Sequence, residues 1–286
     1  MYKFNNSNPP YKKVCIGIRG QYGDIIMQEP GLRKFIKDNP DTKIVLAVSK
    51  KYKDILPLFH NYHSNIIDFK SFEGYNDWPT KEDLQYIEEQ KFDALFPPDI
   101  PKHKENDWAN RRHITEETAL MIGLDCDTKN ITLNLPENLV KEPKTAAIHM
   151  FSSKWPGGIR SIGIQKQTII VDYLRRKGYK VYQISSPNQP AIKGAEFPKG
   201  TYYDACIRVL KSDFLVSCDS GMPWVSSAYN HPTLALFSSG YNSLVSTTKN
   251  WHPVNPNGIY LESHKADNIS IYKIYDAIDK IIESTK

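Results

Sequence analysis

Two short glycine-containing turns carry the residues whose types and spacing could do chemistry. Gly20-Gln21-Tyr22-Gly23-Asp24-Ile25 follows the apolar run from Val14 to Ile18, and Asp219-Ser220-Gly221 follows the run from Phe214 to Ser217. Each reads as a strand ending in a tight turn that opens a helix. Such a turn sets unpaired backbone amides and an acidic side chain at the carboxyl edge of a parallel sheet. A phosphate-bearing ligand could be held at one of these turns and attacked at the other.

Asp24 follows the Gly20 to Gly23 turn directly. Exposed there, its carboxylate could take the proton of an acceptor hydroxyl as that oxygen attacks an activated sugar carbon. It could equally cap the helix beginning near Ile25. Ser153-Lys154-Trp155-Pro156-Gly157 lies just past another strand end. A lysine there, among hydroxyls and glycines, could neutralise a departing diphosphate, or it could be an ordinary solvated loop lysine. The backbone amides of Ser220, Gly221 and Met222 could meet the same diphosphate, with Pro223 near the helix start where no hydrogen bond is lost. Asp219 needs a neutralising partner to sit beside phosphates, and otherwise orders the turn or binds a sugar hydroxyl. The segment could also be a bare β-to-α connection.

Other chemistries find no footing. The spacing Gly17-x-x-Gly20-x-x-Gly23 is wrong for a dinucleotide fingerprint, and no phosphate-loop motif ending in Lys-Ser or Lys-Thr occurs. Cys15, Cys126, Cys206 and Cys218 are far apart, so they read as free thiols rather than zinc ligands. His149 reads as a core histidine with its hydrogen bonds satisfied, and His231 as part of a turn. His60, His63, His103 and His113 show no ligand spacing. No metal centre and no Ser-His-Asp system assembles from this set.

Composition agrees. The 286 residues are 40% apolar and 24% charged, an ordinary globular mixture. The net charge of +5 favours anionic partners only mildly, and the short basic pairs are not interleaved with aromatics, which argues against nucleic acid. No apolar run approaches the ~18 residues of a membrane span, and residues 1–10 lack the apolar core of a signal peptide. The expected location is the cytoplasm, without a transmembrane segment and with peripheral membrane contact left open.

The elements that must position these turns alternate strand and helix. Residues 13–18 read as a buried parallel strand, 25–38 as a helix with Pro30 marking a start or kink, and 43–48 as the next strand. The pattern predicts a helix over 50–59, a strand over 65–69, a helix from about 81 and a strand over 92–96. A long loop with His103 and Trp108 follows, then a helix over 116–121. After a polar, proline-containing break, strands are expected at 145–150, 180–184, 214–217 and 233–237, and helices at 168–177, 202–211 and 222–230. Ile271, Ile274, Ile278 and Ile281 predict an amphipathic terminal helix over 269–285. The whole is an α/β chain of two domains, residues 1–142 and 143–286, with the terminal helix free to pack back on the first.

This combination resembles glycosyltransferase family nine, the heptosyltransferase-like family. Gly23-Asp24-Ile25-Ile26 with Pro30-Gly31-Leu32, Asn39-Pro40 and Ile44-Val45-Leu46 is similar to that family's first strand-turn-helix-strand. Ser153-Lys154-Trp155-Pro156 resembles its loop after the first strand of the second domain. Asp213, the segment from Phe214 to Gly221, Ala228, Pro232-Thr233 and Leu236-Phe237 resemble its donor-site region. The resemblance implies the glycosyltransferase-B fold, two Rossmann-like domains facing a cleft, and metal-independent inverting transfer from a nucleoside-diphosphate sugar to a glycan acceptor. No bound cofactor is implied, since the nucleotide sugar is a co-substrate. By the same resemblance Asp24 is the base, Lys154 contacts donor phosphate, and Ser153, Asp219, Ser220, Gly221 and Met222 bind the sugar nucleotide. From their place after the strand over 233–237, Tyr241, Asn242 and Ser246-Thr247-Thr248 are expected to line the base and ribose pocket. Trp224 stands where the family carries a His, which leaves the donor sugar open. The rival readings are a non-catalytic sugar-nucleotide-binding protein and a nucleotide-sugar epimerase.

Overall fold

The computed structural model describes residues 9–18, 20–60, 66–72, 81–96, 113–121, 124–136, 138–152, 158–239 and 251–285. The chain divides into two compact units, Met1–Asn134 and Leu135–Lys286.

In the first unit the elements are β1 (Lys13–Ile18), α1 (Tyr22–Met27), α2 (Glu29–Asp38), β2 (Lys43–Ser49), α3 (Pro57–His60), β3 (Ile66–Phe72), α4 (Lys81–Gln90), β4 (Ala94–Phe96) and α5 (Ile114–Met121). A 3-10 helix, Lys50–Ile55, joins β2 to α3. The strands form one parallel sheet in the order β3-β2-β1-β4. β1 is central, and Val14, Cys15 and Ile16 are fully buried, which is why it reads as an unbroken apolar run rather than an alternating one. Its start is tied to β4 by Asp93, whose carboxylate accepts the backbone N–H of Lys12 at 2.5 Å and of Lys13 at 2.8 Å. Those two donors hold the Asp93 carboxyl below its ordinary value.

The helix expected over 25–38 is two helices. α1 begins at Tyr22 and ends at Met27, and Pro30 sits in the first turn of α2, where its missing N–H costs nothing. Glu29 at the head of α2 is fully buried, ion-paired to Arg33 at 2.9 Å, and accepts the Thr132 N–H at 2.9 Å.

In the second unit the elements are β5 (Thr145–His149), α6 (Ile164–Arg176), β6 (Lys180–Gln183), α7 (Tyr202–Lys211), β7 (Phe214–Cys218), α8 (Met222–Ser227), β8 (Thr233–Ser238), β9 (Gly258–Ser263) and α9 (Ile271–Ser284). All five strands are parallel, in the order β6-β5-β7-β8-β9. Ala146, Ile148, Val216, Leu234 and Leu236 of the sheet join Ile170, Val171 and Leu174 of α6 and Ile274, Ile278 and Ile281 of α9 in one core. α9 therefore packs on this unit's own sheet, and each fully buried isoleucine removes enough apolar surface to contribute roughly 2 kcal/mol. α7 opens on a capping box in which the Asp204 N–H donates to Thr201 Oγ1 and the Thr201 N–H donates to Asp204 Oδ2. Among the described residues, β9 is the one strand the sequence pattern did not suggest.

Both sheets are doubly wound, and in each the strand order reverses at one point: between β1 and β4 in the first, and between β5 and β7 in the second. Loops leaving the carboxyl ends of the strands on either side of such a reversal splay apart, so a ligand can enter there.

Candidate functional site

In the first unit the turn at the reversal runs from β1 into α1. Gly20 takes φ +123°, a conformation that side-chain-bearing residues rarely adopt. This backbone lets the chain reverse within three residues and bring Asp24 back over the turn. Asp24 is the third residue of α1 rather than the residue before it, and its Oδ2 accepts the Gln21 N–H at 2.8 Å. It thus satisfies one of the orphan donors of the helix start while remaining partly exposed at the carboxyl end of β1. Tyr22 beside it donates its hydroxyl to Asp54 Oδ1 at 2.7 Å and packs edge-on against Tyr52, tying the turn to the 3-10 helix after β2.

In the second unit the turn after β7 brings Asp219, Ser220, Gly221 and Met222 together. Gly221 has φ −68° and ψ −27°, so its backbone does not itself require glycine. Ser220 Oγ lies 3.2 Å from Ser217 Oγ, and Ser217 donates to the His149 carbonyl at 3.1 Å, which links the ends of β7 and β5. Met222 is buried, so only its backbone can face a ligand. Trp224, at the position where the resemblance would set a His, is buried too. Burial and the neighbouring Asp219 both push the Cys218 thiol up, which disfavours the thiolate that nucleophilic attack needs.

The partner that Asp219 requires is Arg160. Its Nη1 stands 3.6 Å from Asp219 Oδ2, with each side chain about a quarter exposed. Arg160 comes from the loop after β5, on the other side of the reversal, and sequence reasoning missed it. Nothing in Gly157-Gly158-Ile159-Arg160-Ser161 marks that arginine locally; the signal is the topology that sets this loop against the β7 turn.

His149, at the end of β5, behaves as the core histidine expected of it. Its Nδ1 is 2.5 Å from the Ile184 carbonyl, a contact that requires the proton on Nδ1, and burial lowers its pKa. Ser153 and Lys154 lie outside the described residues, as do His63, His103, Trp108, Tyr241, Asn242 and the Ser246-Thr247-Thr248 cluster. All four cysteines are free thiols. Among the described residues no group of three or more His, Cys, Asp or Glu side chains is placed to hold a metal ion, and no helix is long and apolar enough to cross a membrane.

No family model and no curated protein matches the sequence. Solved structures do match over nearly the whole chain. A glycosyl transferase of family 9 from Veillonella parvula is 15% identical, with a TM-score of 0.73 over 98% of this chain and 100% of its own. The E. coli heptosyltransferase WaaC with ADP is 12% identical, with a TM-score of 0.67 over 96% and 99%. The iron-containing dodecameric glycosyltransferase TibC from enterotoxigenic E. coli is 14% identical, with a TM-score of 0.65 over 96% of this chain and 77% of its own. The chain therefore has the α/β fold of these family 9 structures, the glycosyltransferase-B type expected from the sequence.

Proposed function

We propose that the protein is an inverting glycosyltransferase that moves a sugar from a nucleoside-diphosphate sugar to an acceptor hydroxyl, with a surface glycan as the acceptor class. The observation that carries this reading is the equipment of the two chain reversals. A partly exposed carboxylate, Asp24, stands at the end of β1, and a turn of hydroxyls and amides, Ser217 to Gly221, stands at the end of β7. The shared fold with family 9 structures, one of them holding ADP, supports the same reading.

In this mechanism the second unit holds the donor. The hydroxyls of Ser153 and Ser220, the backbone amides of Ser220, Gly221 and Met222, and the Lys154 ammonium receive the diphosphate. As the bond between the anomeric carbon and the diphosphate oxygen breaks, its electron pair stays on that oxygen, and the positive groups around it lower the cost of the growing charge. The acceptor oxygen attacks the opposite face of the sugar carbon and gives its proton to the Asp24 carboxylate. The hydrogen bond from Gln21 fixes the plane of that carboxylate, so little orientation remains to be frozen during reaction.

No resident metal or cofactor enters this scheme. Stripping with EDTA leaves turnover unchanged in the expected case, and restoration of activity by added iron alone would replace the scheme with a metal-assisted one. Reactions of this kind draw on the cytoplasmic pool of nucleotide sugars, which supports a cytoplasmic location.

The deciding experiment is Asp24→Asn, assayed by release of nucleoside diphosphate from the donor that the wild-type protein prefers. Transfer falls about 100-fold or more, as expected for loss of a general base, while donor affinity stays within about threefold because the donor sits on the other unit. Undiminished transfer by Asp24→Asn would sink the assignment of the base. Binding without release of diphosphate under any acceptor would mark a carrier, and conversion of the sugar with the diphosphate retained would mark an epimerase.

A further inference from the structure

The Arg160–Asp219 pair has no role in the scheme above, and its setting is unusual for a surface ion pair. The turn that carries Arg160 is pinned from several directions. The Ile159 carbonyl accepts the Ala266 N–H at 2.8 Å, and the Ser161 N–H donates to the Gly158 carbonyl at 3.0 Å. Ser161 Oγ accepts the Ser152 N–H at 3.0 Å. The Ile162 N–H donates to the Met150 carbonyl at 3.1 Å, and the Gly163 N–H to Asp267 Oδ1 at 2.9 Å. Two of these bonds tie the turn back to the residues leaving β5, and two tie it to the segment before α9. An arginine on such a support starts from a fixed Cα, so little entropy is lost when its fork closes on a ligand.

The position of the pair matters as much as its rigidity. It bridges the loops that leave β5 and β7, the two strands flanking the reversal, beside the Ser217 and Ser220 hydroxyls. A partly exposed pair of this kind adds little to stability. Its effect on a ligand is larger. Asp219 alone would repel a diphosphate, whereas with Arg160 beside it the two charges cancel. The guanidinium can then offer paired N–H donors to the oxygens of a phosphate.

We propose that Arg160 grips the diphosphate of the nucleotide at this reversal and that Asp219 is a positioning residue that aims its guanidinium, an assignment that rests on the glycosyl-transfer reading above. Asp219 then owes its place to the arginine rather than to the sugar. When the donor bond breaks, the charge that collects on the diphosphate is held by a group already in place.

The test compares nucleoside diphosphates with the matching monophosphates. ADP, GDP, UDP, CDP and dTDP are titrated calorimetrically into the wild-type protein to find the preferred base, and that pair of nucleotides is then measured on Arg160→Gln, Arg160→Lys and Asp219→Asn. Arg160→Gln weakens the diphosphate about tenfold or more, the size expected for loss of a charge-assisted bidentate contact, and leaves the monophosphate within about threefold. Arg160→Lys recovers part of the loss, because charge returns without the fork. Asp219→Asn weakens the diphosphate less, and the double variant Arg160→Gln with Asp219→Asn binds no worse than Arg160→Gln alone, as it must if Asp219 acts through the arginine. Equal loss for mono- and diphosphate, or no loss at all, overturns the role of Arg160 while leaving glycosyl transfer standing. Additive losses in the double variant overturn the role of Asp219. Failure of the wild-type protein to bind any of the five diphosphates overturns both this proposal and the reading beneath it.

Discussion

Gly20 lies directly beneath the Asp24 side chain: a β-carbon built on Gly20 would stand 2.2 Å from Asp24 Cβ and 2.8 Å from its Oδ2. The two residues cannot both carry side chains in this turn, so the placement of the carboxylate depends on a residue four positions earlier that has none. Gly20→Ala forces φ +123° onto an alanine and drives Asp24 out of its hydrogen bond with Gln21. The expected cost is about 2 kcal/mol of stability, read from urea unfolding. Turnover falls about tenfold or more through misplacement of the base, with nucleotide affinity unchanged. A variant with full activity would show that the carboxylate is not held where chemistry needs it.

A second expectation concerns the buried pair at the head of α2. Burial raises the Glu29 carboxyl above its ordinary value even though Arg33 and the Thr132 N–H oppose the shift. Removing Arg33 takes away the cation paired with a fully buried carboxylate. Arg33→Met therefore costs about 3 kcal/mol, whereas Glu29→Gln, which can still accept from Thr132, costs about 1 kcal/mol. A carboxyl with a raised folded pKa binds more protons folded than unfolded, so stability falls as pH rises through that pKa. The Arg33→Met defect is accordingly larger at pH 8 than at pH 5, measured by denaturant midpoints. A defect independent of pH would mean that Glu29 finds another counter-charge.

His231 gives the opposite slope. It is almost fully buried, its Nδ1 lies 3.2 Å from the Lys141 ammonium, and burial with that neighbouring charge holds its pKa down to about 3. The ammonium can only donate, so the ring is neutral with its proton on Nε2. A histidine whose folded pKa is depressed stabilises the fold above its unfolded value near 6.5 and loses that contribution as pH falls toward the folded value. The wild-type protein should lose roughly 2 kcal/mol between pH 7 and pH 5 from this residue alone, and His149, depressed in the same direction, steepens the fall. His231→Asn should flatten the slope while lowering stability at pH 7. An unchanged slope would mean that the ring is protonated in the native state.

Much of the fold was legible because parallel strands buried on both faces leave continuous apolar runs, as at residues 14–18, 44–48 and 214–218. α7 was read with the bounds it has, 202–211, and the structure adds the Thr201 and Asp204 capping box that starts it. β9 was not legible. As an edge strand it is only half-buried, and His252-Pro253 and Asn255-Pro256 before it suggest loop. The division near residue 28 was half-seen: Pro30 signals a break, but whether it kinks one helix or starts another depends on α5 packing against the first two helices.

The candidate site divides the same way. Asp24 and the Asp219 turn were visible because each follows an apolar strand at once. Arg160 was invisible because its importance comes from Asp219, far along the chain, and from Ala266, which holds the carbonyl of the neighbouring Ile159, and neither spacing leaves a mark on the local sequence. The need for a cation beside Asp219 could be deduced from electrostatics alone; its identity could not.

Because every strand in each sheet runs the same way, each sheet has a rim where all its strands exit and an opposite rim where all of them enter. Foldability and ligand preference are thereby written into separate stretches of chain. Loops on the exit rim can be lengthened, shortened or exchanged without altering a strand interior, so a lineage built on this scaffold can change what it binds by drift at one rim while selection keeps the buried strands nearly still.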